Sequence, residues 1–410
     1  MKVAILGLAS RAQSLRVVEL YKSYMDSLRG VYDENYGLIS KSKQLEKIMD
    51  SLAKYGIIIV VVATGGSRGN ILKLGSLEKY LILISHNTQN SLASTLHAKY
   101  ILKKRGNRKV MHLHGSPAII KKEAISIIKA IKGVEALRNE KVLLVGVEQD
   151  YLKDEEYDLD SLENIFGLTV DTLSLDKFLE EYKSKKTIRE LPKDLLRLKR
   201  TKINEIDILN AVKLYEALRR LSRKHRGLGI RCFPILTKIK VTPCVAVAKL
   251  IDAGKIAACE ADLSSLVTML FVKAVTGNKS FMANVEDIVD NKMIVAHCTI
   301  AFSLTKTSIL TTHFETGYGV AIQGKLERGE VTLVKISPDF KKILLMEGII
   351  ERGENFSDEF CRTQAIIQVQ GEPERFLIGD FAHHIIMVYG RHKELLKKIA
   401  EMMGLDVVDV

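Results

Sequence analysis

The amino-acid sequence predicts an α/β protein with two doubly wound parallel-sheet domains and a β-rich, antiparallel, barrel-like C-terminal domain. Three observations predict it. Across residues 1–138, short apolar runs alternate with amphipathic helical patterns, as strands joined by helical crossovers do. The alternation restarts at Val142–Val147 and continues through residues 139–278. In residues 279–410 the texture changes to short strands separated by Gly317, Gly319, Gly324, Gly329, Gly348 and Gly371, which suits an antiparallel sheet or barrel.

Lys2–Leu6 reads as the first strand, and Ser14–Arg29 carries Leu15, Val18, Leu20, Met25 and Leu28 in a helical apolar pattern. A helix over Ser42–Tyr55 ends at Gly56, and Ile57–Ala63 is apolar enough for a strand buried on both faces. That strand runs into Thr64-Gly65-Gly66-Ser67-Arg68-Gly69-Asn70, where free backbone amides can hold an anion or a hydroxyl group. A plain tight turn explains the same glycines, and the loop is neither a Walker loop nor a dinucleotide fingerprint. Tyr80–Ser85 delivers the polar loop His86-Asn87-Thr88-Gln89-Asn90-Ser91 before a helix at Leu92–Lys104. A ligand loop and a solvated N-cap both account for it. Lys109–His114 and Lys121–Glu135 complete the first series.

In the second series, Asp160–Phe166 and Leu175–Lys183 read as helices flanking a strand at Leu168–Ser174. Glu180–Leu198 reads as a surface excursion, Asn204–Leu221 as a long helix, and Gly227–Leu236 as a buried strand carrying one charge, Arg231. Thr242-Pro243 opens a helix that Gly254 ends. Later strands are expected at Ile309–Thr312, Val320–Gln323, Val331–Ile336, Lys342–Glu347, Ala365–Val369 and Glu374–Ile378. A helix at His392–Met403 and a strand at Leu405–Val408 close the chain.

The totals narrow the function classes. With 410 residues, 47% hydrophobic and 27% charged, the chain is globular and long enough for two or three cores. It has no apolar run long enough to span a bilayer and no signal-peptide pattern, so no membrane association is expected. The net charge of +13 permits an anionic partner. Lys193–Lys202 and Arg219–Arg226 nevertheless spread their charge along helices with acids nearby, and no basic–aromatic stripe appears, so no nucleic-acid partner is expected. The five cysteines show no paired metal-site spacing and read as reduced core residues of a cytoplasmic protein.

Chemistry concentrates at Ala257–Asn284 and Ala296–Cys298. Small residues lead into Glu260 and Asp262 where a strand should give way to a helix, and two later strands deliver Asn284 and His297. Elements that each end in an oxygen or imidazole donor can converge at the strand ends of an α/β sheet. Further strand-end candidates are Arg231, His313, Glu315, Arg362, His383 and His384. Glu260, Asn284, His297 and His384 can form a shell for a hard divalent cation. Duller readings stand beside these. His297 suits a hydrogen-bonded core position, Asp262 an N-cap for the helix beginning at Leu263, and Glu260 a structural pair with Arg231. Strand alternation puts His313 and Glu315 on one face, as a hydroxyl-binding or an exposed cross-strand pair. The same alternation lets at most one of His383 and His384 enter a site. Arg231, Arg362 and Lys335 are the cations available to an anionic substituent.

A set of blocks then resembles the L-fucose isomerase/L-arabinose isomerase superfamily, and within it the fucose-isomerase-like proteins. These are Ala-Thr-Gly-Gly at 63–66, Asn-Ser-Leu-Ala at 90–93, Arg-Cys-Phe at 231–233 and Cys-Glu-Ala-Asp-Leu at 259–263. They continue with Phe-Met-Ala-Asn at 281–284, Ala-His-Cys-Thr at 296–299, His-Phe-Glu-Thr-Gly at 313–317, Cys-Arg-Thr-Gln at 361–364, and His384 followed by Tyr389-Gly390. The resemblance implies a metal-dependent ketol isomerase, with Mn²⁺ or another hard divalent cation, interconverting an aldose and a ketose through an enediol. It implies Glu260 as ligand and base, His384 as metal histidine and His297 as an additional one. It also implies a homo-oligomer, trimer or hexamer, in which Thr64, Gly65, Gly66, Asn87 and Asn90 contact a sugar together with Arg231, His313 and Arg362. The chain departs from the pattern at Asn284, which stands where a second carboxylate is expected. An amide oxygen can ligate a cation but cannot accept a proton at neutral pH. Either Asp262, Glu286 or Glu315 serves as the second base, or the scaffold is that of a non-catalytic or regulatory sugar-binding protein.

Overall fold

The structure is a computed structural model that describes residues 1–10, 14–148, 150–184 and 188–410. The chain forms two compact units, Met1–Lys132 with Lys398–Gly404, and Gly133–Lys397 with Leu405–Val410. Among the described residues, no helix is long and apolar enough to cross a membrane.

In the first unit, β1 (Val3–Leu8), β2 (Glu34–Ile39), β3 (Ile57–Val62), β4 (Tyr80–Ser85) and β5 (Val110–His114) form one parallel sheet in the order β2-β1-β3-β4-β5. β3 is buried throughout, as its run of Ile and Val requires of a central strand covered on both faces. The order reverses between β1 and β3. The loops leaving those strands therefore part, and a cleft opens at their carboxyl ends.

The second unit begins with another parallel sheet. Its strands are β6 (Glu140–Val145), β7 (Leu168–Leu173), β9 (Gly227–Ile230) and β10 (Ile256–Cys259), in the order β10-β9-β6-β7. The short β8 (Lys199–Arg200) belongs elsewhere: it pairs with β13 (Thr307–Thr311), which pairs in turn with β14 (Ala321–Lys325). The remaining strands close a six-stranded antiparallel barrel. β11 (Phe281–Val289), β12 (Lys292–His297), β17 (Thr363–Gln370), β16 (Lys342–Arg352), β15 (Gly329–Ile336) and β18 (His384–Tyr389) follow one another around it, and β15 pairs with β16 to complete the ring. β19 (Asp406–Asp409) adds to β16 in parallel. The helix Leu263–Thr276 links sheet to barrel and packs on β9, β10, β15 and β18. Its Leu, Val, Met and Phe side chains are buried, as a helix between two layers demands.

Four expectations change in detail. Gly227–Leu236 is a strand only to Ile230, and Cys232–Ile239 is a helix, because Pro234 has no N–H to give a central ladder. Glu374–Ile378 lies in a 3₁₀ segment begun by Pro373, whose fixed φ suits a helical first turn. Ser42–Tyr55 breaks into helices at Ser42–Glu46 and Met49–Leu52. The stretch Glu180–Leu198, of which residues 185–187 lie outside those described, is no mere excursion, since Leu191 and Leu195 are buried in the second unit's core.

Candidate functional site

β10 ends at Cys259, and the chain then takes two successive left-handed residues, Glu260 at φ 59° and Ala261 at φ 55°. Non-glycine residues adopt this region at a cost of about 1–3 kcal/mol, and they keep it where the surroundings hold them. Here the Ala261 N–H donates to the Ile230 carbonyl at 3.1 Å and the Asp262 N–H to the Cys259 carbonyl at 3.2 Å. The Tyr151 hydroxyl donates to the Glu260 carbonyl at 3.3 Å. The turn throws the Glu260 side chain away from the sheet, while Asp262 caps the following helix by accepting from the Ser265 N–H.

The barrel supplies the facing groups. Asn284 on β11 stands opposite Ala296 on β12 and His384 on β18, so Asn284, His297 and His384 share one barrel end. The Glu260 carboxylate lies 3.8 Å from His297 Nε2, 3.5 Å from His383 Nε2 and 3.7 Å from His384 Nε2. Those gaps exceed a good hydrogen bond. Two donors that each sit about 2.1 Å from one ion lie about 3–4 Å apart, so the gaps suit a shared cation. Burial works to raise the Glu260 pKa, and the three imidazoles outweigh it and hold the carboxyl well below its usual range.

His383 corrects the expectation that alternation admits only one of the pair. β18 starts at His384, and Ala382 is left-handed at φ 56°, so His383 belongs to a turn and not to the strand. One ring nitrogen of His383, one of His384 and a Glu260 oxygen all lie within 4.8 Å of one another, the arrangement of a metal triad. Two buried polar atoms nearby, His384 Nε2 and Asn284 Oδ1, have no hydrogen-bond partner among the described residues. A buried acceptor left unpaired costs about 1–3 kcal/mol, and a cation relieves it. The donor set therefore fits a divalent ion.

His297 is hydrogen-bonded at its far nitrogen, as a core position would have it. The Thr299 N–H donates to His297 Nδ1 at 3.1 Å, so the neutral ring carries its proton on Nε2, which faces Glu260 as a donor. Asp262 is likewise occupied. It accepts from Ser264 Oγ at 2.8 Å, Ser265 N at 2.8 Å, Ser265 Oγ at 2.6 Å, Lys335 Nζ at 3.0 Å and His384 Nδ1 at 2.9 Å. Burial opposes its charge, but Lys335 and His384 dominate and hold its carboxyl well below the usual range. Burial also pulls Lys335, which is fully enclosed, below the ordinary lysine value against the attraction of Asp262. The charge of the pair is set by the carboxylate, whose five donors leave it no lone pair for substrate.

Glu286 is a further carboxyl near His297 and Asn284. Pairing slips between Val285 and Asp287, which makes Glu286 the extra residue of a β-bulge, a device that re-aims one side chain. Burial raises its pKa; His297 and an Asn284 hydrogen bond work against that, and Glu315 adds to it. Glu315 itself is exposed in the turn that follows β13, where Gly317 N–H donates to the His313 carbonyl at 3.0 Å. His313 and Glu315 therefore are not alternate residues of a strand. The His313 ring packs edge-on against Phe233 at 5.8 Å, and its pKa is pushed down to about 4 by burial, with His297 and Arg362 adding to it. Arg362 is committed to Thr312, donating to its carbonyl at 2.9 Å and facing its hydroxyl oxygen at 3.3 Å.

Glu260 opens onto a cleft of about 560 Å³ at the carboxyl ends of the central sheet, lined also by Tyr151, Arg231, Phe233 and Lys238. The Arg231 guanidinium lies over the Tyr151 ring at 4.9 Å, and among the described residues no carboxylate pairs with it. The first unit has its own cleft of about 810 Å³, at the strand reversal between β1 and β3. Thr64, Gly65, Gly66 and Asn90 line it; Asn87 is exposed on the same loop. Gly65 is held there by its N–H bond to Gln89 O at 2.6 Å, and a Cβ on it would fall 2.9 Å from that of Asn90.

The sequence offers His383 and Glu286 as candidates, but not the left-handed Ala382 that lets His383 join His384, nor the bulge that carries Glu286. No protein-family model matches the chain. Among curated proteins, it is similar to the sulfoquinovose isomerases of Priestia aryabhattai and of Priestia megaterium (strain ATCC 12872 / QMB1551). Each is 24% identical over 191 residues, covering 44% of this chain and 43% of the relative. The chain thus spans less than half the length of the curated relatives it matches, and over that stretch it resembles a sugar isomerase.

Proposed function

We propose that the protein interconverts an aldose and a ketose, with the reaction centred on Glu260 and Glu286. The observation that carries the reading is the Glu260 carboxylate gathered with His297, His383 and His384 at 3.5–3.8 Å on the edge of a cleft, with a second carboxyl, Glu286, on the β11 bulge near His297 and Asn284. Burial raises the Glu286 pKa, in the direction that suits a group taking up and returning a proton. The likeness to sulfoquinovose isomerases supports the same reaction class.

In this reading the sugar enters the cleft beside Arg231 and Phe233 and lays its first two carbons between Glu260 and Glu286. Glu286 removes the proton from the carbon next to the carbonyl and returns it to the former carbonyl carbon, while the hydroxyl proton on O2 passes to O1, so that an enediol lies between the two sugars. The Nε2 side of the His297 ring faces Glu260 across a gap of 3.8 Å. A divalent cation held by Glu260, His383 and His384, with the Asn284 amide oxygen beside it, would draw charge from the substrate oxygens. Arg231 is the group we assign to an anionic substituent on the sugar, since its charge has no acid partner within the described protein.

The test follows the transferred hydrogen. Sulfoquinovose, glucose, L-fucose and L-arabinose are incubated in D₂O with the protein and a panel of divalent cations, and loss of the C2 proton signal is followed by NMR. At least one sugar is expected to exchange and to yield its ketose. The Glu286→Gln protein should still bind it and should exchange about 10²–10⁴-fold more slowly. Absence of exchange from every sugar with every cation defeats the proposal. Tight sugar binding without exchange favours the regulatory reading that Asn284, in place of a carboxylate, would suit.

A further inference from the structure

We propose that the site selects a transition cation of the Co²⁺, Ni²⁺ or Zn²⁺ type over Mg²⁺ and Ca²⁺, and is not built for a hard ion. The inference rests on the reading that Glu260, His383 and His384 hold a cation, and it goes on to say which kind. Hard ions are held by several carboxylate, carbonyl and water oxygens, Ca²⁺ by about six to eight and Mg²⁺ in a near-octahedral shell. The triad itself offers one carboxylate, Glu260. The position opposite His384 carries the amide of Asn284, and the nearby Glu286 carboxyl is hydrogen-bonded to that amide. Among the described residues, Asp262, the acid that meets His384, has both oxygens engaged by Ser264, Ser265, Lys335 and His384. Lys335, 3.0 Å from Asp262, cancels the charge that this carboxylate would otherwise lend.

What the site offers besides is imidazole nitrogen. Asp262 accepts the Nδ1–H of His384 at 2.9 Å, which fixes the ring with its Nε2 lone pair bare toward Glu260. The Nε2 of His383 faces the second oxygen of the same carboxylate at 3.5 Å. Two imidazoles and one carboxylate with open positions beside them form a donor set for divalent transition ions, whose affinities rise from Mn²⁺ through Co²⁺ and Ni²⁺.

The full-length protein, stripped with a chelator, is titrated calorimetrically at neutral pH with Mg²⁺, Ca²⁺, Mn²⁺, Co²⁺, Ni²⁺ and Zn²⁺, and Co²⁺ binding is also read from its visible absorption. One equivalent of Co²⁺, Ni²⁺ or Zn²⁺ is expected to bind about 100-fold or more tightly than Mg²⁺ or Ca²⁺, with Mn²⁺ between. His383→Gln, at a position with an exposed side chain, should leave the melting temperature unchanged and weaken Co²⁺ binding about 10-fold or more. Glu260→Gln should remove the Co²⁺ absorption. Binding of Mg²⁺ or Ca²⁺ within about tenfold of Co²⁺ would overturn the inference and leave the metal-assisted isomerase standing. Unchanged Co²⁺ affinity in His383→Gln would overturn it too. Failure of every ion to bind would remove the inference together with the cation in the proposed function, while sugar exchange without any cation would remain open to the D₂O experiment.

Discussion

Asp262 shows how a side chain can be close to the chemistry without performing it. Its carboxylate holds the His384 ring at one oxygen and the buried Lys335 ammonium beside it, so its replacement has two separable effects. Asp262→Asn leaves the Lys335 charge enclosed without a counter-ion, which should cost about 3–5 kcal/mol in urea unfolding. Adding Lys335→Met removes that stranded charge and should restore most of the stability. It should not restore cation affinity, which stays about 10–100-fold weaker because nothing then dictates which nitrogen of His384 is bare. A double variant that regains both would show Asp262 to be structural only. The sequence singles out Asp262 and offers two roles for it, helix cap and base. The cap is legible because an Asp before an apolar run is a local signal. The contacts with Lys335 and His384 are not, since those partners lie 73 and 122 residues away along the chain.

The element that positions Glu260 is the turn after β10, and its geometry depends on what β9 lacks. Gly229 on β9 has no Cβ; one built there would lie 2.5 Å from Leu144 Cδ2 on β6 and 3.4 Å from the Ala261 Cα. Gly227, two residues earlier, would meet Leu266 Cδ1 at 3.0 Å and the Ile256 carbonyl at 3.4 Å, away from the turn. Gly229→Ala should therefore cost about 1–3 kcal/mol and also displace the Glu260–Ala261 turn, lowering both cation affinity and turnover. Gly227→Ala should cost stability with little change in affinity. Equal affinities for the two variants in their folded states would show that the turn does not feel β9. The parallel strands themselves are legible, because β3, β4 and β10 are unbroken runs of apolar or small residues. β2 is not, since the half-exposed edge sequence Glu-Asn-Tyr-Gly-Leu-Ile has no period to read. The helix at Cys232–Ile239 is hidden for the opposite reason: it continues the apolar run of β9, and its polar residues, Thr237 and Lys238, come only near its end.

At the scale of the whole molecule, each unit encloses histidines in their neutral form, which sets the direction of its acid response. Burial lowers the pKa of His86 and takes that of His112 to about 4 in the first unit, and it takes that of His313 to about 4 in the second. In the unfolded chain these rings titrate near 6.5, so between about pH 6.5 and 4 the unfolded state binds more protons than the native one. Their contribution is complete above that window and is lost as pH falls through it. Glu260 and Asp262 have folded pKa values below their unfolded ones, so their stabilisation persists until the pH drops below the ordinary carboxylate range. Glu286, with its raised pKa, gains relative stability on acidification and offsets part of the loss. His112 is part-buried and His313 is buried, so together they supply on the order of a few kcal/mol. Thermal unfolding should therefore begin several degrees lower at about pH 5 than at about pH 7, by roughly 2–4 °C for each kcal/mol lost. Replacing His112, whose Nε2 meets Ser85 Oγ at 2.7 Å, with Asn should flatten that response in the first unit and leave the second unit's unchanged. An unfolding temperature that holds or rises on going to pH 5 would mean that the rings are charged in the native protein and that acids pair with them.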